Sequence, residues 1–196
     1  MCFNFFFPLY KKNALEVITD SLGLQNESIN YSSVCFEKDG LEAKLGSKRP
    51  TSFDFYFETT SGKKIYFEIK YTEPEFGKDT QKSIEKRKKK FEKFYSNSLK
   101  SLNNLYHDSE TFSSNYQILR NLIHVDDDSF VVFIYPQNNE GIKLGVERVK
   151  TDFLISSYHN HFFEICWENL FEFTSISVED NEIKKQLNEF KEKYFH

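Results

Sequence analysis

Apolar and polar residues alternate most clearly over two short segments in the first half of the chain. Thr51–Glu58 and Lys63–Tyr71 place phenylalanine or isoleucine at alternate positions, which is the period of a strand with one buried face. The residues between them, Thr-Thr-Ser-Gly, are typical of a tight turn. The pattern predicts a β-hairpin over about residues 51–71.

Helical spacing of apolar residues predicts four helices, over Asn13–Leu22, Lys78–Tyr106, Tyr116–His124 and Glu179–Tyr194. The continuous apolar run Phe130–Tyr135 predicts a strand buried on both faces. Ile142, Leu144 and Val146 alternate and predict a neighbouring strand, and Phe162–Trp167 predicts one more.

Residues 26–49 are polar with scattered apolar positions, and we expect irregular structure with a short strand there. Neither an internal repeat nor a linker divides the sequence. We therefore expect a single domain over residues 1–196, with an α/β fold in which helices flank a mixed central sheet.

The composition excludes several classes of protein. The 196 residues include 22 Phe, 11 Tyr and 1 Trp, an aromatic content that excludes intrinsic disorder. No apolar run approaches the roughly 20 residues that span a bilayer, so we expect no membrane association. The 3 cysteines lack metal-ligand or disulfide spacing, and the apolar start of the chain has no basic leader. We expect a reduced, cytoplasmic protein.

The hairpin carries the candidate chemistry. If the turn centres on Ser61 and Gly62, Asp54 lies across from Glu68, about 4.5–5.5 Å away between Cβ atoms. The two-residue period puts Lys70 on the same face. The other face would hold Phe53, Phe55, Phe57, Ile65, Phe67, Ile69 and Tyr71.

Facing carboxylates repel each other, and burial increases the cost. A divalent cation with hard oxygen ligands, such as Mg²⁺, would offset that repulsion. The alternative is a solvated hairpin face on which Glu68 and Lys70 form an ion pair. Glu73 could be an outer ligand or a polar strand end, and the sequence leaves both interpretations open.

Two sequence stretches carry a family resemblance. Arg-Pro-Thr-Ser-Phe-Asp, ending at Asp54, and Glu-Ile-Lys-Tyr-Thr-Glu-Pro, starting at Glu68, resemble the PD-(D/E)xK nuclease superfamily. Together with the opening Cys-Phe-Asn-Phe they resemble a restriction-endonuclease-like bacterial subfamily, although Pro50 is four residues before Asp54 instead of adjacent to it.

The resemblance implies a restriction-endonuclease-like mixed sheet with helices on both sides. It also implies that Mg²⁺, or Mn²⁺ in its place, is bound by Asp54, Glu68 and the backbone carbonyl of Ile69. Lys70 would then assist the attack of water on a DNA phosphodiester. The superfamily often adds an acidic residue from the first helix, and Glu16 is the best-placed candidate.

Basic residues are concentrated between Lys82 and Lys100, as expected of a helix that lies along a phosphate backbone. A solvated helix face explains them equally well. The candidate DNA contacts are Lys86, Lys89, Lys90, Lys93, Gln117 and Arg120.

These observations favour a Mg²⁺-dependent DNA endonuclease of a restriction or other defence system. Cutting both strands would suit a homodimer. The alternatives are a catalytically inactive nucleic-acid-binding module and an interaction subunit with the same fold.

Overall fold

A mixed five-stranded sheet with the order β1-β2-β3-β4-β5 forms the centre of the computed structural model, which describes residues 1–48, 50–76 and 81–195. The strands are β1 (Ile29–Asp39), β2 (Ser52–Thr59), β3 (Lys64–Ile69), β4 (Ser129–Tyr135) and β5 (Phe162–Cys166). The first three strands pair antiparallel, while β4 is parallel to both β3 and β5. The predicted α/β fold is confirmed.

Helices cover both faces of this sheet. They are α1 (Cys2–Lys11), α2 (Glu16–Ser21), α3 (Leu41–Lys44), α4 (Gln81–Lys90), α5 (Ser109–Ser114), α6 (Tyr116–Leu122), α7 (Glu140–Arg148), α8 (Trp167–Ser177) and α9 (Asn181–Tyr194). Single π-helical turns, Phe91–Tyr95 and Val149–Phe153, continue α4 and α7.

Two hydrophobic cores lie on opposite faces of the sheet. The crossover core is formed by α4 to α7 against the sheet and includes Phe91, Phe112, Leu119, Ile142 and Phe133. The terminal-helix core is formed by α1, α2, α8 and α9 and includes Phe6, Ile18, Trp167, Leu187 and Phe67. Every residue of β4 is buried, because its side chains alternate between the two cores.

The segment that contains Ile142, Leu144 and Val146 is the helix α7, so the predicted strand is wrong. Three alternating apolar residues are too few to separate the two periods. Ile142 and Val146 are four residues apart and buried on one helix face, while Leu144 is 62% exposed. The Asn139 side chain starts the helix by accepting a hydrogen bond from the Ile142 amide.

The N-terminal half also differs from the expectation. The apolar start of the chain is the helix α1, and the predicted helix over Asn13–Leu22 is the shorter α2. The expected irregular region contains β1, an 11-residue edge strand. Neither face of β1 is fully buried, so its apolar residues do not alternate regularly and their pattern does not indicate a strand.

The predicted long helix over Lys78–Tyr106 is shorter in the structure. Helix α4 and its π-helical turn end at Tyr95, and Leu102 instead forms a β-bridge with Leu154. Ser-Asn-Ser follows the turn, and such residues favour non-helical backbone because their side chains compete for its hydrogen bonds. Residues 78–80 lie outside the described residues.

The other predicted elements are confirmed with small changes at their ends: β4, α6, α9 and the hairpin of β2 and β3. Phe162–Trp167 divides into β5 and the first residue of α8, and Trp167 is fully buried in the terminal-helix core. Across the described ranges, no helix combines the length and the apolar character that crossing a bilayer requires.

Candidate active site

The hairpin of β2 and β3 positions the candidate residues. Its register pairs Phe55 with Phe67, Tyr56 with Tyr66 and Phe57 with Ile65, as the turn composition predicts. At the turn, Gly62 has a φ of +92°, a conformation that favours glycine, and its amide bonds to the Thr59 carbonyl. The turn thereby fixes which residues of the two strands meet.

The two strands separate at Asp54. The paired register ends at Phe55 and Phe67, and beyond it the Ile69 amide donates to Asp54 Oδ2 over 2.7 Å. The Asp54 carboxylate therefore occupies the place where the β2–β3 ladder would otherwise continue. On the neighbouring strand β1, Glu37 has a left-handed φ of +58°, so the backbone of β1 is also irregular at this residue.

Phe53 lies on the opposite side of the sheet from Phe55. Phe53 belongs to the crossover core, with its ring centroid 4.9 Å from Tyr66 and 4.8 Å from His124. Phe55 belongs to the terminal-helix core and stacks on Phe6. The expectation that Phe53 shares a face with Phe55 is wrong, because the strand changes face at Asp54.

Glu68 and Lys70 form a largely buried ion pair at the end of β3. Glu68 is 5% exposed, and Lys70 Nζ lies 2.7 Å from its Oε1 atom. The Lys70 amide bonds to the Ile134 carbonyl, so the backbone here stays attached to β4. The alternative of a solvated hairpin face also predicts this ion pair. In the structure, however, the pair is largely screened from water.

The charges of the three residues act on one another. Burial raises the pKa of Asp54 to about 6, and the negative charge of Glu68 adds to the increase. The Ile69 amide and the Lys70 ammonium act in the opposite direction. Asp54 and Glu68 are thus close enough to repel, although the β2–β3 ladder ends before the directly opposed Asp54–Glu68 pair that the sequence predicts.

The donor set fits a hard divalent cation. In the described part of the chain, no group of three or more His, Cys, Asp or Glu side chains could hold a metal ion. Two carboxylates nevertheless suit Mg²⁺, which takes oxygen ligands, usually keeps several waters and is bound through one or two carboxylates. A bound cation would counter the two effects that raise the pKa of Asp54, namely its burial and the negative charge of Glu68.

Glu73 lies beside this cluster, in the segment that follows β3. Its Oε2 atom accepts hydrogen bonds from the amides of Tyr71 and Thr72, and its Oε1 atom is 3.7 Å from Lys70 Nζ. Burial acts to raise the pKa of Glu73, but these amides and the Lys70 charge keep it below its usual value. Glu73 thus orders the backbone after β3 and contacts the candidate lysine.

Glu16 is not brought to the carboxylate pair. It accepts hydrogen bonds from the Tyr31 hydroxyl, over 2.6 Å, and from the Ile29 amide, over 3.3 Å. Ile29 pairs with Thr59 near the hairpin turn, whereas Asp54 lies near the other end of β2. The contacts of Glu16 join α2 to the sheet.

Sequence reasoning missed Glu37, whose charge contributes to the raised pKa of Asp54. Its Oε2 atom accepts a hydrogen bond from the Ser52 hydroxyl over 3.1 Å. Glu37 lies in the region expected to be irregular, so only the strand pairing of β1 with β2 could have indicated its position.

The candidate DNA contacts lie on the crossover between β3 and β4. Lys86, Lys89 and Lys93 are exposed or half-buried, as is Lys90. Their spacing puts them along one side of α4 and its π-helical turn. None of these four lysines forms an ion pair with another residue of the described ranges.

Gln117 and Arg120 lie one turn apart on α6, and both are half-buried. Gln117 lines a cleft of about 500 Å³ that also contains Phe76, and the Phe76 ring is 5.9 Å from Lys70 Nζ. The Arg120 guanidinium is 5.8 Å from the Tyr116 ring. Gln117 therefore shares a cleft with a ring that lies near Lys70, while the Arg120 guanidinium lies near a ring of its own helix.

Asp54→Asn is expected to stabilise the metal-free protein at pH 8 by about 2 kcal/mol. The side-chain amide of the variant keeps an acceptor for the Ile69 amide and removes a negative charge that both burial and Glu68 disfavour. Since the folded-state pKa of Asp54 is above the unfolded value, its protonated form favours folding. That stability is present below the unfolded pKa of 3.8 and is lost as the pH rises through about 6.

Urea unfolding at pH 4 and at pH 8 checks this expectation, with Glu58→Gln as the control near the hairpin turn. The difference between Asp54→Asn and wild type should shrink at the lower pH. A variant less stable than wild type at pH 8 would show that the charge of Asp54 carries no such cost in the folded protein.

Comparison with known proteins identifies a family. Residues 1–195 match the model of a family described as Restriction Endonuclease associating with ARP. No curated protein and no solved structure matches the chain. The match covers nearly the whole sequence and agrees with the restriction-endonuclease-like resemblance and with the mixed sheet. The chain belongs to the family of restriction endonucleases associating with ARP.

Proposed function

We propose that this protein is a Mg²⁺-dependent DNA endonuclease of the PD-(D/E)xK type, with Asp54, Glu68 and Lys70 as its catalytic residues. The observation that carries the proposal is the half-buried Asp54 carboxylate, which accepts from the Ile69 amide beside the Glu68–Lys70 pair and whose pKa is raised to about 6. Perturbed carboxylates of this kind concentrate at functional sites. The family to which the chain belongs supports the same class of activity.

Asp54 and Glu68 would hold the ion, with the Ile69 carbonyl as a further ligand, and Mn²⁺ would suit the same oxygen donors. When bound, the ion supplies a water of lowered pKa and neutralises charge on the scissile phosphate. Lys70 donates to Glu68 in the structure. In the complex its ammonium group would also orient the attacking water and stabilise the negative charge of the phosphate in the transition state.

DNA would approach along the basic side of α4, defined by Lys86, Lys89, Lys90 and Lys93. Contacts from lysines to phosphates fix the position of a duplex without reading its sequence. Gln117, which shares the cleft with Phe76, is the α6 side chain that we place toward the proposed site.

A second candidate function is favoured by the family description, which names an associated protein. In this alternative the chain is a nucleic-acid-binding or interaction subunit of an assembly with an ARP partner, and it has the same fold without turnover. Either function suits a restriction or defence system. We propose a single domain over residues 1–196, and a homodimer for cutting both strands.

Each of Asp54→Asn, Glu68→Gln and Lys70→Met is expected to reduce plasmid cleavage in Mg²⁺ by at least about 100-fold, because each removes a metal ligand or a charge-stabilising group. DNA binding in Ca²⁺ should survive these substitutions. Glu58→Gln is the matched control, a carboxylate near the hairpin turn that accepts from the Tyr56 hydroxyl.

Mg²⁺ should raise the melting temperature of the wild type and leave that of Asp54→Asn unchanged, which tests the ion without requiring turnover. Cleavage that survives in all three variants would place the active site elsewhere. Salt-sensitive DNA binding without cleavage in any divalent ion would favour the binding subunit. Absence of DNA affinity would favour the interaction subunit.

The triple variant Lys86→Gln, Lys89→Gln, Lys93→Gln is expected to weaken DNA binding across unrelated sequences and to reduce the slope of log K against log salt by up to about 3. The control makes the same charge change on α9, at Lys184, Lys185 and Lys191. Fluorescence anisotropy at several salt concentrations measures the affinity and the salt slope of each triple variant. Equal slopes for the two triple variants would exclude α4 as the DNA-binding surface.

A further inference from the structure

Two glycines of α7 lie directly against the segment that follows β3. A Cβ atom placed on Gly141 would be 1.9 Å from the Pro74 carbonyl oxygen, and one placed on Gly145 would be 2.6 Å from Cδ2 of Phe76. The two glycines are four residues apart and therefore share one face of the helix. Glycine inside a helix costs up to about 1 kcal/mol relative to alanine, and here it permits a contact that any side chain would prevent.

The same helix also holds the segment through its first turn. The Asn139 side chain, which caps α7, donates from Nδ2 to the Glu73 carbonyl over 2.7 Å. The segment of residues 73 to 76 thus meets α7 and its cap at three points, namely at Glu73, Pro74 and Phe76.

Two residues of this segment lie near the Lys70 ammonium group. Glu73 Oε1 is 3.7 Å from Lys70 Nζ, and the Phe76 ring lies 5.9 Å from it. The Phe76 ring in turn packs on Phe133 of β4, with centroids 5.5 Å apart. On the remaining side, Glu68 accepts from Lys70. The Phe76 ring therefore meets α7 directly, and the backbone that carries Glu73 is held by the cap of α7.

We propose that Gly141 and Gly145 are positioning residues for Lys70: they let α7 approach the segment of residues 73 to 76 so closely that Glu73 and Phe76 hold the lysine against Glu68. The geometric part of this proposal concerns Lys70 alone, and its catalytic meaning rests on the proposed nuclease function. Gly145 gives the sharper test, because its neighbour is a side chain that can be removed, whereas Gly141 meets backbone.

Gly145→Ala is expected to push the Phe76 ring aside and expose Lys70. In metal-free and DNA-free protein, acetylation of Lys70 by an N-hydroxysuccinimide ester, measured by mass spectrometry, should become several-fold faster than in wild type. In the cleavage assay kcat should fall by at least about tenfold, while KM for DNA changes little, because the misplaced group acts in the chemical step. Leu144→Ala, at an exposed position of the same helix, is the control.

A double-mutant cycle with Phe76→Ala identifies the route of the effect. Removing the ring removes the nearest atoms that the added methyl group would meet, so Gly145→Ala should change neither labelling nor kcat in the Phe76→Ala background. Asn139→Ser provides a second variant, since serine still caps the helix but does not reach Glu73. It should raise Lys70 labelling as well.

The outcomes separate this proposal from the nuclease function. Faster Lys70 labelling in Gly145→Ala, with a wild type that cuts no DNA, would support the positioning role and reject the nuclease. Unchanged labelling in cooperatively folded Gly145→Ala and Asn139→Ser would overturn the positioning role. An effect of Gly145→Ala that persists without the Phe76 ring would also overturn it.

Discussion

The repulsion between Asp54 and Glu68 is the constraint on which the organisation of this site depends. Glu68 is buried, and Asp54 is half-buried in the gap between β2 and β3, where its Oδ2 atom accepts from the Ile69 amide. The fold offsets part of the cost with the Ile69 amide and the Lys70 ammonium. Burial and the remaining repulsion raise the pKa of Asp54, and a bound cation would counter both.

Local signals were sufficient for the elements whose structure depends on neighbours in sequence. The register of the hairpin follows from its turn, and the buried strand β4 follows from an uninterrupted apolar run. The placement of Asp54 near Glu68 and Lys70 was predictable for the same reason, since all three are within one hairpin.

Tertiary contacts determine the features of the site that the local sequence pattern does not indicate. Phe53 leaves the face of Phe55 because Tyr66 and His124 receive it in the crossover core, and nothing in the alternating pattern indicates this. Glu37 becomes a neighbour of Asp54 only when β1 pairs with β2. The role that we infer for the glycines of α7 depends on their contacts with Pro74 and Phe76, which are far from them in sequence.

The order of the strands has a consequence for folding kinetics. The hairpin pairs adjacent segments, whereas β3 and β4 become neighbours only after the long crossover closes, and such non-local contacts form slowly. We expect the two carboxylates to meet first in a water-exposed hairpin, where a high dielectric weakens their repulsion. The free-energy cost of their repulsion then arises when β4 and the helices dock later and exclude water. An ion retained between the two carboxylates would therefore act mainly by slowing the opening of the folded domain.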